Sequence, residues 1–497
     1  MQLIVVLQFL IPLAAAFNAR RSALTDCLNA ASVPILLTSS PSWQGATKPY
    51  NLRLTVNPAV VTIPRTKAEV EEALKCAYST NTRVSAKSGG HSYSASGLSG
   101  NMVMDMVEFQ EVSYDASTTI ATVGSGVRLG NMATKLFQLG ERGIPHGTCS
   151  GVGIGGHATL GGFGLDSRLW GLTLDTITSI DAVLANGTAV TASSSQNRDL
   201  FWALRGAGPG FAVVTSFKMK TFPAPPVNVN WAYTYVYSTA QKAAKAYSIA
   251  QAFGQTDAPK ELGYGILFFP GNQFIVRGVY YGPKANMDRI LAPLLEQLTS
   301  LNDGKAPKAV VNTQGWIASL TELDGTTLQT LVRGYDKHDT FYAKSITTKE
   351  SAPLSLTALN SMFAYLYTNP APPNTWWMII SNLYGGPGSV INSFPPSTDP
   401  ASTSSYADRD SGYVLQFYGS TASTRPPFNN QIMTYVKSMV GSLGDEVKNL
   451  PAYAPYNDPE LTRAEAQQKY WGAGVPRLKA IKSQVDPKGI LYNPQGF

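Results

Sequence analysis

From residue 51 onward the chain moves between two hydrophobic periodicities. Apolar residues recur at every second position in short runs at 51–56, 59–63, 83–86, 102–105, 111–115 and 120–123, which predicts β-strands. Between them, 66–78 (TKAEVEEALKCAY) and 129–139 repeat every three to four residues and predict amphipathic helices, the first opening on a start signal at Thr66. Segments 176–184 and 189–192 flank Asn186-Gly187 as a hairpin, 199–204 (DLFWAL) begins a short helix, and 213–220 (VVTSFKMK) alternates as a strand. Pro223-Ala224-Pro225-Pro226 marks a boundary. Beyond it, helical patterns at 239–253 and 287–299 alternate with aromatic-rich strands at 264–269, 274–281, 376–382 and 412–418. This second region reads as an antiparallel sheet with helices on one face. A loop is expected at 395–405 and a long helix over 462–484, ahead of the tail 486–497.

At the other end, 19–31 predicts a short helix, preceded by an apolar run, 1–17, that ends in small residues. The run fits a secretory signal peptide over 1–16 and is too short and interrupted to span a bilayer; no later stretch is long enough either. A secreted or secretory-pathway protein away from membranes is therefore expected. Three cysteines in such a chain leave one over. Cys27 and Cys76 form the expected disulfide, and Cys149 is the spare. The sequon Asn186-Gly187-Thr188 is a candidate glycosylation site. The length of 497 residues suggests two or three domains, and the net charge of +7 comes without any Lys/Arg block, which leaves a nucleic-acid partner unsupported.

Candidate chemistry concentrates in three Gly-rich clusters. One is 85–93 (SAKSGGHSY), holding His91. The densest is 146–170 (HGTCSGVGIGGHATLGGFGLDSRLW), holding Cys149. The third is 206–211 (GAGPGF). Glycine is costly to order, so such density implies positive φ angles or a backbone lying close against a ligand. Bare N–H groups in these loops suit an anion, and the three together read as wrapping one long, phosphate-bearing cofactor.

The motifs Ser88-Gly89-Gly90-His91-Ser92, His146-Gly147-Thr148-Cys149, Gly153-Ile154-Gly155-Gly156-His157, 199–206 (DLFWALRG) and Tyr492-Asn493-Pro494 closely resemble the berberine-bridge-enzyme-like FAD-linked oxidases, within the vanillyl-alcohol-oxidase/PCMH flavoprotein superfamily. The resemblance covers nearly the whole chain after the leader. It implies an α+β fold: an FAD-binding domain over 45–223, completed by 451–497, and a substrate domain over 224–450. It implies FAD held by two covalent bonds, from His91 to the 8α-methyl carbon and from Cys149 to C6. Around it would stand Ser88, Gly89, Gly90, Ser92, Gly153, Gly155, Gly156, Gly162, Val213 and Asn493. Val152 occupies the position where a valine lets O2 reach the flavin, so an oxidase is expected.

Further expectations follow from the same resemblance. Tyr456 aligns with a tyrosine base, assisted by Tyr93 and Asn382, although an amide at 382 cannot take a proton from a phenol. His146 and His157 shape loops, His338 is a surface residue, and no metal site is expected. The substrate groove would include Met378, Ile380, Leu267, Gln416 and Asp339. Three of these are apolar, which points first to an aromatic or polyketide-like secondary metabolite oxidised by a monomeric enzyme with release of hydrogen peroxide. The alternative is a secreted carbohydrate oxidase that forms lactones. A flavin-loaded binding protein without turnover is a third reading.

Overall fold

The computed structural model describes residues 22–399 and 402–497. The expected signal segment, 1–16, lies outside the described residues. Residues 22–30 are helical, and Cys27 is joined to Cys76 with a Cα–Cα separation of 5.7 Å. The bridge fastens this helix to Lys67–Ser79, whose Thr66 side chain accepts from the Glu69 backbone N–H as the start signal requires.

The fold is α+β. Residues up to 223 hold a four-stranded, a five-stranded and a two-stranded sheet. In the first, Val60–Thr62 and Val84–Lys87 both run parallel to Met102–Asp105. In the second, Val213–Lys220 lies between Ile120–Gly124 and Ile177–Val183, antiparallel to both. The C-terminal tail returns to this half. Val84 N–H donates to the Ile490 carbonyl, Tyr492 N–H donates to the Val84 carbonyl, and the Ser85 hydroxyl donates to the Tyr492 carbonyl. Buried Lys482 fastens the same corner by donating to Asp486 and to the carbonyls of Gly210 and Leu491.

Residues 228–421 form one seven-stranded antiparallel sheet. Strand Thr375–Leu383 shows how its faces divide. Trp377, Ile379 and Leu383 are buried against the helices Ala240–Thr256, Leu356–Thr368 and Asn430–Gly441, while Trp376, Met378, Ile380 and Asn382 point the other way, into a cavity. Period-two alternation thus gives the sheet one face for packing and one for a ligand.

Two expectations fail locally. Segment 51–56 is not a strand: Asn51 makes a single bridge to Asp339, and its side-chain oxygen accepts from Arg53 N–H to close a turn. The helix expected over 462–484 is two helices, Arg463–Trp471 and Val475–Val485. Gly472 takes a φ of 43° at the break, and Pro476, which has no N–H, sits in the first turn of the second helix.

Candidate active site

All three Gly-rich clusters line one end of a cavity of about 560 Å³, and the open face of the seven-stranded sheet lines the other. At the glycine end the backbone is packed too closely for side chains. A Cβ on Gly153 would stand 2.0 Å from Gly89 N, and one on Gly89 would stand 2.3 Å from Gly153 N. Ser88 Oγ joins the clusters, donating to the Ser125 carbonyl at 2.6 Å and accepting from Gly155 N–H at 3.2 Å. The Arg128 guanidinium donates to the carbonyls of Gly89 and Gly151.

His91 lies between aromatic neighbours. Its ring stacks on Tyr50 at 4.1 Å, and Nε2 is 3.0 Å from Tyr335 Oη. Burial, aided by the Arg128 charge, pushes its pKa down to about 3. The imidazole is therefore neutral and keeps a nitrogen lone pair. Cys149 is a free cysteine exposed to the cavity that it lines, its thiol pushed up by desolvation and by Asp324. Its loop is held from both sides: Ser150 N–H donates to Asp324, and His157 Nε2 accepts from Gly147 N–H at 3.1 Å. Burial also pushes His157 down to about 3, so it stays a neutral acceptor.

Tyr456 lines the cavity between its two ends. It stacks with Tyr93 at 5.9 Å and meets Tyr453 edge-on at 5.1 Å. Burial, then Tyr453 and Cys149, raise its pKa, and Arg277 opposes them. Tyr93 Oη accepts from Gln416 Nε2 at 2.9 Å, and Tyr418 Oη donates to Asp339 at 2.6 Å. Asn382, Met378 and Ile380 line the floor, and Trp376, 40% exposed, stands at the mouth.

Ser92, Val152, Gly90, Gly156 and Val213 also line the cavity. Three candidates do not. Gly162 faces away, with its positive φ and its N–H given to Tyr453 Oη. Asn493 turns its side chain to Gln495 N–H. Leu267 is 3% exposed and covered, so it does not reach the groove. His338 is no simple surface residue: its Nδ1 meets the Pro49 carbonyl and its Nε2 meets Asp336. Asn186 is exposed in its hairpin turn. Sequence reasoning passed over Arg277, Trp376 and Tyr335. For Arg277 a signal existed, a lone charge inside the apolar strand Gln273–Tyr281.

The site fits a flavin dinucleotide. Its volume is in the range of ligand pockets. Gly156 leaves open space where a Cβ would stand, and Ser125 Oγ, on the cavity wall, has no partner among the described residues. Family profiles agree: residues 58–193 match the FAD binding domain and 452–497 match the berberine and berberine-like profile. The chain is 35% identical to the xylooligosaccharide oxidase of Thermothelomyces thermophilus, covering 96% of this chain and 95% of that one. It is 32% identical to the glucooligosaccharide oxidase of Sarocladium strictum, with 96% and 95% covered. A solved glucooligosaccharide oxidase from Acremonium strictum, described as carrying a 6-S-cysteinyl, 8α-N1-histidyl FAD, superposes with a TM-score of 0.88 at 30% identity, over 95% of this chain and 98% of that one. The cofactor is FAD, and the chain belongs to the berberine-bridge-enzyme-like family of FAD-linked oxidoreductases.

Proposed function

We propose that this enzyme is an oligosaccharide oxidase that converts the reducing-end hemiacetal of a sugar chain to a lactone, with dioxygen as electron acceptor. The observation that carries the reading is the make-up of the groove. An exposed indole, Trp376, stands at the mouth, and the rings of Tyr93, Tyr418 and Tyr456 line the walls, with the amides of Gln416 and Asn382 and the carboxylate of Asp339 between them. Flat aromatic surfaces take the C–H face of a pyranose, and interspersed polar groups take its hydroxyls. Relatives named for the oxidation of xylo-, chito- and glucooligosaccharides support it. This reverses the order that Met378, Ile380 and Leu267 suggested, since Leu267 stands outside the groove and the two remaining apolar residues share the floor with polar neighbours.

His91 and Cys149 are the two attachment points in this reading. Neutral His91 presents a nucleophilic nitrogen, and Cys149 faces the same cavity from the opposite Gly-rich loop. When bound, FAD supplies the two-electron chemistry, taking hydride from the sugar carbon and passing both electrons to O2 to give hydrogen peroxide. Tyr456 takes the proton of the anomeric hydroxyl, so that C–H and O–H are lost together and the hemiacetal becomes a lactone. Attached as a thioether, Cys149 can no longer ionise, which takes away one of the influences that raise the Tyr456 pKa. Val152 lines the cavity beside this loop and keeps it open to O2. Residues 45–223 with 451–497 form the cofactor unit, and 224–450 the substrate unit. Among the described residues no helix is long and apolar enough to cross a membrane. The Cys27–Cys76 bridge supports passage through the secretory pathway, where the exposed Asn186 would be glycosylated. Peroxide release with xylo-, chito- and cello-oligosaccharides, measured beside phenolic alcohols, tests the reading. Turnover of the sugars is the expected result, and turnover of the phenolics alone would overturn it.

A further inference from the structure

The deeply placed arginines of this molecule are spent on protein partners, with one exception. Arg168 donates to the carbonyls of Ala258, Pro259, Leu262 and Gly385. Arg409 holds Asp175 with two nitrogens, and Arg128 holds two glycine carbonyls. Arg277, alone among the arginines in lining the cavity, has no hydrogen bond or ion pair with any described residue. It stands in mid-strand, opposite Gly265, which in turn stands opposite Asn382. With no side chain at 265, the Asn382 amide oxygen leans over that position, 3.0 Å from where a Cβ would stand.

Arg277 is half-buried in the cavity wall with no acceptor from the described residues, so its donors are free for an acceptor carried by the occupant of the cavity. The planar fork of Arg277 matches a carboxylate through two parallel hydrogen bonds. Part of the polar lining is already engaged, though none of it by Arg277. Gln416 is bonded to Tyr93, Asn457 to Ser94, and Asp339 to Tyr418 and the Thr340 N–H. Arg277 lines the same cavity as Cys149 and Tyr456 and feels both electrostatically. Asp339 is the one carboxylate lining the cavity among the described residues, and its two oxygens are taken up by Tyr418 and the Thr340 N–H.

We infer that Arg277 forms a carboxylate subsite in the substrate groove and selects sugar chains whose reducing end is a uronic acid. This rests on the oligosaccharide reading above and narrows it. A hexuronate carries its carboxylate across the ring oxygen from the anomeric carbon. One ring therefore presents its anomeric hydroxyl to Tyr456 and its carboxylate to Arg277.

The test uses the flavin-loaded enzyme and two non-oxidisable probes, methyl galacturonide and methyl galactoside, with binding followed by perturbation of the flavin absorbance. The acidic glycoside binds about tenfold or more tightly than the neutral one, the scale of a charge-assisted hydrogen bond. Arg277→Gln abolishes that preference and Arg277→Lys keeps part of it. Equal binding of both probes to the wild-type enzyme, or a preference that survives Arg277→Gln, would overturn the subsite. So would an Arg277→Gln effect confined to the pH profile of turnover, because Arg277 would then serve Tyr456 rather than the substrate. Free galacturonate and galactose, assayed for peroxide, separate the two readings. An Arg277-dependent preference without peroxide from any sugar keeps the subsite and discards the oligosaccharide oxidase; peroxide from neutral sugars with no acidic preference does the reverse.

Discussion

The two ends of the cavity are built on different terms. At the cofactor end the wall is backbone: Gly89 and Gly153 lie so close that neither tolerates a Cβ, and Ser88 and Arg128 stitch loops that are distant in sequence. At the substrate end the wall is side chains standing on the open face of a sheet, where Trp376, Met378, Ile380 and Asn382 could each be exchanged without moving a strand. The first end fixes what the protein binds, and the second can be retuned for a different substrate while the first is kept. A shared family therefore fixes the cofactor more firmly than it fixes the sugar.

The comparison can be broken most severely at the glycine wall. Gly153→Ala places a methyl group 2.0 Å from Gly89 N, and backbone on both sides cannot yield, so the variant is expected to lose essentially all bound flavin. Flavin absorbance per mole of purified protein checks this; normal loading would contradict it. Next in size, Tyr456→Phe slows flavin reduction by about 100-fold or more while leaving flavin content intact. Stopped-flow reduction under anaerobic conditions measures it, and a loss of a few-fold would demote Tyr456 to a positioning residue. At the mouth, Trp376→Ala should raise KM for oligosaccharides by about tenfold with little change in kcat, as expected for loss of stacking remote from the chemistry; an equal fall in kcat would contradict that role.

The smallest effect concerns the packing beneath the cradle. Burial pushes Asp166 up to about 8, and neither carboxylate oxygen has a side-chain partner among the described residues. Between the ordinary value of 3.8 and about 8 the folded protein keeps a proton that the unfolded chain releases, so this group lowers stability as pH rises through that window. His157, pushed down to about 3 from 6.5, acts in the opposite sense and costs stability as pH falls below 6.5. Asp166→Asn should raise Tm at pH 8 by a few degrees relative to the parent and change it little at pH 4. Parallel Tm profiles for the two proteins would show that Asp166 is not held neutral.

The cradle was legible in the sequence because its physics is compositional: glycines crowd three short stretches, two of them with a rare His or Cys, and tight backbone packing needs that pattern wherever it occurs. Most strands and helices were legible for a similar reason, since Val213–Lys220 and Lys67–Ser79 carry clean periods. The groove was less so. Period-two alternation says that Trp376, Met378, Ile380 and Asn382 share a face, but not that Leu267, which shares it through register, is covered by neighbours. Arg277 enters the site through its pairing with Gly265, which is itself paired with Asn382 on a third strand, and no local window contains that row. Gly162 and Asn493 sit in the right motifs yet serve the loops themselves, one through a positive φ and the other through a turn to Gln495.

The account turns on a flavin fastened from both Gly-rich loops at once. Digestion of the acid-denatured protein, followed by mass analysis of the flavin-bearing peptides, tests this most directly. Flavin joined to both the His91 and the Cys149 peptide is the predicted result, whereas flavin recovered free in the acid supernatant would contradict the account at its centre.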